Sequence, residues 1–159
     1  MVENEKARRV IRALAEKKLT LGAVESLTGG LFSATICSVP GASAVFKGAL
    51  VTYSAEEKIV LASVDPVIIR DNGVVSQKVA NAMAKGGRRN LGVDVCVSFT
   101  GNAGPSVEPG AAPVGRVNMT IATAYGLVQM QQDFALTRNE IREASVDMML
   151  DQLLAVFES

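Results

Sequence analysis

The stretch Leu19-Thr20-Leu21-Gly22-Ala23-Val24-Glu25-Ser26-Leu27-Thr28-Gly29-Gly30-Leu31 decides the fold class. Residues 19–24 are a short apolar run, the length of a buried strand. Thr28-Gly29-Gly30 turns the chain into an apolar helix over residues 31–37, which Ser38-Val39-Pro40-Gly41 stops. Ahead of the run, residues 3–18 carry Ala7, Val10, Ile11 and Leu14 at helical spacing with charges between them, an amphipathic helix. Helix, strand and helix in alternation build a sheet of mostly parallel strands covered on both faces.

The alternation continues outward. Residues 48–53 (Gly-Ala-Leu-Val-Thr-Tyr) read as a strand, and Ser54 with Glu57 forms a capping box for a short helix. Asp65-Pro66 starts another helical turn, closed near Asn72-Gly73. Ser76 caps a longer helix to Leu91 with Val79, Ala82 and Met83 as its stripe and Gly92 as its stop. Gly86-Gly87 inside that helix costs about 1 kcal/mol per glycine relative to alanine, which close packing on a neighbour would explain. Residues 93–99 set Val93, Val95, Val97 and Phe99 on one face of a strand. Residues 100–113 form a glycine- and proline-rich loop, long enough to expect function in it. Residues 114–124 and 127–136 read as two strands joined at Tyr125-Gly126, and Thr137 with Glu140 boxes the start of the last helix. In that helix Ile141, Ala144, Met148, Leu153 and Phe157 lie near one face. The expectation is one α/β domain over residues 1–159, with one antiparallel neighbour inserted by the hairpin.

Composition removes whole classes of chemistry. The 159 residues contain no histidine, so a Ser-His-Asp triad, a Cys-His pair and most zinc sites are excluded. Sixteen basic residues balance sixteen acidic ones, so no overall basic field holds a nucleic-acid backbone, and direct nucleic-acid binding is not expected. Two cysteines, Cys37 and Cys96, cannot build a four-thiolate metal site; both lie in apolar runs and read as core residues. The polar start Met1-Val2-Glu3-Asn4-Glu5-Lys6 lacks the apolar core of a signal peptide, and no apolar run reaches the roughly 18 residues a bilayer needs. The expectation is a reduced, cytoplasmic, membrane-free domain.

Without histidine, a hydroxyl activated by lysine is one of the few nucleophiles left. Lysine keeps its proton near neutral pH, since its ordinary pKa is about 10.4, and burial lowers that value until the amine serves as a base. Residues 41–58 contain the parts: Ser43 in a loop after a helix, Tyr53 at a strand end, and Lys58 one turn into the next helix. The alternative is a solvated lysine and a half-buried tyrosine. Thr28, Gly29 and Gly30 at a helix start offer free N–H groups and a dipole to an anion such as phosphate, or make a tight turn. Gly101, Asn102, Ala103 and Gly104 allow close approach of backbone to a ligand. Arg138 and Arg142, one helical turn apart, can grip a phosphate or face solvent.

Six segments together resemble the carboxy-terminal domain of the CinA family, whose stand-alone members are nicotinamide-nucleotide amidohydrolases of the PncC type. They are residues 24–31 (Val-Glu-Ser-Leu-Thr-Gly-Gly-Leu), 39–46 (Val-Pro-Gly-Ala-Ser-Ala-Val-Phe), 51–54 (Val-Thr-Tyr-Ser), 73–76 (Gly-Val-Val-Ser), 100–105 (Thr-Gly-Asn-Ala-Gly-Pro) and 113–115 (Pro-Val-Gly). The expectation from the 159 residues is the stand-alone form, without the amino-terminal domain of the larger CinA proteins. The resemblance implies a three-layer α/β/α fold. It also implies hydrolysis of the carboxamide of nicotinamide mononucleotide to nicotinic acid mononucleotide and ammonia, without cofactor or metal. The family's serine, lysine and tyrosine, carried over by position, fall on Ser43, Lys58 and Tyr53, with Ser54 as the rival nucleophile. The sequence departs from the family at residues 106–112, at Asn102 and at Arg116, positions that bear on ribose and phosphate contacts. Two alternatives are a low-activity nucleotide-binding module and a competence- or damage-linked regulatory partner. The apolar content of the last helix and of the Gly86-Gly87 helix is consistent with a homo-oligomer.

Overall fold

The computed structural model describes residues 2–159. Its helices are α1 (Glu5–Glu16), α2 (Leu31–Cys37), α3 (Ala55–Ala62), α4 (Pro66–Asn72), α5 (Gln77–Leu91) and α6 (Arg138–Phe157). Its strands are β1 (Leu21–Glu25), β2 (Phe46–Val51), β3 (Val95–Gly101), β4 (Arg116–Thr123) and β5 (Gly126–Asp133), and a single 3₁₀ turn covers Ala42–Ala44. Every predicted element forms, with ends displaced by a few residues. The caps do what their side chains predict: Ser54 accepts from the Glu57 N–H, Asp65 from Val67, Ser76 from Val79, and Thr137 and Glu140 cap each other reciprocally.

The strand order is β2-β1-β3-β4-β5. β1 pairs parallel with β2 and with β3, while β4 runs antiparallel to both β3 and β5. Four strands therefore point one way and β4 alone points back. Side chains alternate between the two faces. Leu21, Ala23, Val95, Val97, Phe99, Val117, Met119 and Ile121 face a large core closed by α1, α2 and α6. Phe32 and Phe99 meet there with ring centroids 5.4 Å apart. Val24 and Cys96 face a smaller core under α3 and α5, with Val64, Val79 and Met83. The result is three layers, α/β/α.

The two helical glycines have a physical cause. A Cβ on Gly86 would stand 1.6 Å from the carbonyl oxygen of Ala62, and one on Gly87 would stand 2.3 Å from Val24 Cγ2. Glycine lets α5 press against the end of α3 and onto the sheet at once. Two expectations shift. The buried face of α6 uses Ile141, Ser145, Val146, Met149, Leu150, Leu153 and Leu154, a stripe at mixed helical spacing, with Ala144 and Met148 only half-buried at its edge. Cys37 is exposed and only Cys96 is core. α5 and α6 bury most of their apolar residues inside this chain, while Val156 near the end of α6 is exposed.

Candidate functional site

The chain reverses its sense of travel across the sheet between β1 and β3, because β2 lies on one side of β1 and β3 on the other. In open α/β sheets a crevice forms at such a point, outside the carboxyl ends of the strands. A cleft of about 250 Å³ lies there. Ser26 and Leu27 enter it from the end of β1, Tyr53 and Lys58 from beyond β2, residues 100–104 from the end of β3, and Arg138 from the start of α6. Lys58 and Arg138 are its charged side chains, and among the described residues no carboxylate lines it.

Lys58 is almost fully buried, at 2% exposure. With Ala62 it forms the inner face of α3, the face that Gly86 brings close to α5. Its ammonium donates to Ser26 Oγ at 3.0 Å and to the Thr52 carbonyl at 2.8 Å. It has no carboxylate partner among the described residues, and burial lowers its pKa from 10.5 to about 8. A lysine in this state gives up a proton near neutral pH and, once neutral, accepts one from the hydroxyl beside it. Tyr53 is exposed, and its hydroxyl accepts from Arg138 Nη2 at 2.8 Å. Arg138 also donates to the Gly104 carbonyl at 2.7 Å, which ties the 100–104 loop to α6. Gly101, Asn102, Ala103 and Gly104 all line the cleft.

Ser43 is not part of this arrangement. It is exposed in the 3₁₀ turn before β2, beside a separate depression lined by Cys37, Val39, Gly41, Ala42 and Phe46. Its carbonyl accepts from Lys47 Nζ at 3.2 Å. Ser43 precedes β2 and Lys58 follows it, so the strand's length, roughly 20 Å for six residues, lies between them. The serine that meets Lys58 is Ser26, and Ser54 is the α3 cap. Ser26 carried a sequence signal: a polar residue at the carboxyl end of a fully buried strand, on the same sheet edge as Tyr53 and Lys58.

The predicted phosphate cradle at the start of α2 is also already filled. The Glu25 carboxylate is fully buried and accepts from the Gly30 N–H at 3.2 Å, the Phe32 N–H at 3.0 Å, the Ser33 N–H at 3.0 Å and the Ser33 hydroxyl at 2.5 Å. Gly29 and Gly30, with φ of 54° and 101°, make the left-handed turn that allows this. Thr28 is buried and does not line the cleft. Arg142 does not line it either: it donates to the Leu27 carbonyl at 2.9 Å, the Thr28 carbonyl at 3.0 Å and Asn139 Oδ1 at 3.1 Å. The two arginines thus part company, Arg138 to the cleft and Arg142 to the turn. Arg116 pairs with Asp133 across β4 and β5, and the Asn102 amide donates to the Ala112 carbonyl. Among the described residues no helix is long and apolar enough to cross a membrane, and no group of three or more acidic or cysteine side chains could hold a metal.

The family model for the CinA C-terminal domain matches residues 3–157. A CinA-like protein of Thermotoga maritima is 38% identical over 144 residues, which cover 91% of this chain and 35% of that protein. A CinA-like protein of Prochlorococcus marinus is 39% identical over 153 residues, 94% of this chain and 35% of that protein. The chain spans about a third of the length of these curated relatives. Among solved structures, the competence/damage inducible protein CihA of Agrobacterium tumefaciens superposes with a TM-score of 0.90 at 31% identity, covering 95% of this chain and 93% of that one. A CinA superfamily protein of Escherichia coli gives 0.93 at 26% identity, covering 98% and 90%. With nearly its whole length matched by one family model, the chain belongs to the CinA C-terminal domain family.

Proposed function

We propose that this domain is a nicotinamide-nucleotide amidase that converts nicotinamide mononucleotide to nicotinic acid mononucleotide and ammonia, with Ser26 as nucleophile and Lys58 as base. The observation that carries the reading is the 3.0 Å contact between Ser26 Oγ and a buried, carboxylate-free Lys58 Nζ. In the reactive state the neutral amine keeps one N–H on the Thr52 carbonyl and turns its lone pair to the Ser26 hydroxyl. Ser26 Oγ bonds to the carboxamide carbon as its proton passes to Lys58. The C–N bond then breaks, and Lys58 returns the proton to the departing nitrogen, which leaves as ammonia. Water, deprotonated by the same lysine, adds to the acyl carbon; the bond to Ser26 Oγ breaks, Lys58 returns the proton to that oxygen, and the nicotinic acid product leaves and ionises in solvent.

The oxyanion needs backbone donors, and each such donor is worth about 3–4 kcal/mol in acyl transfer. The Leu27 N–H directly follows Ser26 and has no acceptor among the described residues. Arg138, at the mouth beside Tyr53, is the group for the substrate phosphate, and a cleft whose charges are both positive favours an anionic substrate. Serine and lysine supply nucleophile and base, so the scheme needs no metal or cofactor. The domain acts as a soluble, cytoplasmic protein in this reading.

Ammonia release from nicotinamide mononucleotide by the purified chain, measured beside Ser26→Ala, tests the proposal. Loss of release in the variant supports it. Binding of the nucleotide without release from the unaltered chain would replace it with the binding-module reading. Neither binding nor release would leave the regulatory, competence-linked reading.

A further inference from the structure

We infer that Glu25 is a positioning residue for the Ser26 hydroxyl, acting through the turn it closes; the inference rests on Ser26 being the nucleophile. Glu25 holds both ends of the segment that carries Ser26. Its backbone is the last residue of β1, where its carbonyl accepts from the Thr52 N–H at 2.8 Å. Its side chain reaches seven and eight residues ahead to the first turn of α2. One residue therefore clamps Ser26, Leu27, Thr28, Gly29 and Gly30 into a closed turn.

The clamp joins directly to the reacting pair. The Thr52 N–H binds the Glu25 carbonyl, the Thr52 carbonyl binds Lys58 Nζ, and Lys58 Nζ binds Ser26 Oγ, the residue bonded to Glu25. This ring links nucleophile and base through four residues. Arg142 adds the opposite charge from outside, with its guanidinium on the Leu27 and Thr28 carbonyls. Ser26 itself is anchored by its N–H to the Phe99 carbonyl at 3.1 Å.

A carboxylate is the group this site requires. The buried side chain faces three backbone N–H donors and one hydroxyl, and no acceptor. A carboxylate offers acceptors only, and the dipole of α2 favours its charge. Glutamine would turn an NH₂ toward these donors and lose part of the clamp. Aspartate keeps the charge and is one methylene too short to span both residues 30 and 33.

The test is steady-state ammonia release from nicotinamide mononucleotide by the purified chain carrying Glu25→Gln, Glu25→Asp or Ser33→Ala, each corrected for its folded fraction by circular dichroism. A misplacement of about 1 Å costs on the order of 100-fold in rate, so kcat should fall about that much in both Glu25 variants, with KM within about threefold. Ser33→Ala removes one of four donors, so kcat should fall about fivefold. A merely structural role would reduce the folded fraction and leave kcat per folded molecule unchanged; that result would overturn the inference. If neither Glu25 variant folds, Ser33→Ala decides, and a wild-type kcat there would overturn it too. Activity retained by Ser26→Ala would instead defeat the nucleophile assignment, whatever Glu25 does.

Discussion

Ser26 and Ser43 flank the same helix, α2, and differ in almost every physical respect. Ser26 leaves the carboxyl end of β1, is nearly buried, and meets a lysine whose pKa burial lowers to about 8. Ser43 enters the amino end of β2, is exposed, and meets only the surface chain of Lys47 through its carbonyl. The difference teaches that chain proximity to a base counts for little in an α/β sheet. What counts is which end of the strands a residue occupies, since parallel strands send everything that follows them to one edge and everything that precedes them to the other.

The largest expected effect separates the two serines directly. Ser26→Ala should lower kcat for amide hydrolysis by about 10⁴-fold or more, as loss of an acyl-transfer nucleophile does. Ser43→Ala should stay within about twofold of wild type, because one exposed hydroxyl is removed. Reversal of that order in a side-by-side ammonia assay would return the nucleophile to the other end of the sheet.

Lys58 supplies the next test. Lys58→Arg keeps the charge and cannot give up its proton, so kcat should fall about 1,000-fold. Because only neutral Lys58 accepts the Ser26 proton, and its pKa is lowered to about 8, wild-type activity should rise with pH through that region and then level off. A rate already flat from pH 6 to 9 would remove Lys58 as the base.

Packing gives a third contrast. Gly86→Ala drives a methyl into the Ala62 carbonyl at the end of α3, and overpacking of this kind costs about 3 kcal/mol when backbone has to move. Urea unfolding should show the loss, and any folded variant should lose activity through Lys58. Gly41→Ala, at the Ser43 end, meets open space and carries only the strain of its positive φ, about 1 kcal/mol. Equal losses at the two glycines would mean that α3 is not held by this contact.

The smallest effect concerns the two surface cations. Arg138→Ala should raise KM for the nucleotide about 10- to 100-fold, the range of a charge-assisted phosphate contact, with a smaller effect on the unphosphorylated riboside. Lys47→Ala should leave both values unchanged. Equal loss for nucleotide and riboside would take Arg138 away from the phosphate.

Much of this protein was legible because its signals are local. The boxes at Ser54 with Glu57 and Thr137 with Glu140, the Asp65-Pro66 start and the Gly92 stop each rest on residues within one helical turn, and all produce the helices they predict. Lys58 and the 100–104 loop stood out as candidates at strand ends, but the sequence left a solvated lysine and simple turns open; the structure buries Lys58 and sets the loop in the cleft. The serine that meets Lys58 did not follow, because Ser43 lies nearer in sequence while Ser26 lies 32 residues away. The start of α2 misled for a related reason: its N–H groups are free in any local reading, and only the return of the Glu25 carboxylate from within the strand fills them.

By itself the sequence determined the α/β class, the helix caps and the exclusion of histidine chemistry, since these depend on residue type, period and neighbours a few positions apart. The tertiary structure alone decided that β2 and β3 flank β1, that Ser26 meets Lys58, that Arg138 lines the cleft while Arg142 clamps the turn, and that Gly86 sets the depth of α3. The physical reason is the same in each case. These are contacts between groups far apart in the chain, and they exist only once strand order and packing bring one end of the sheet together.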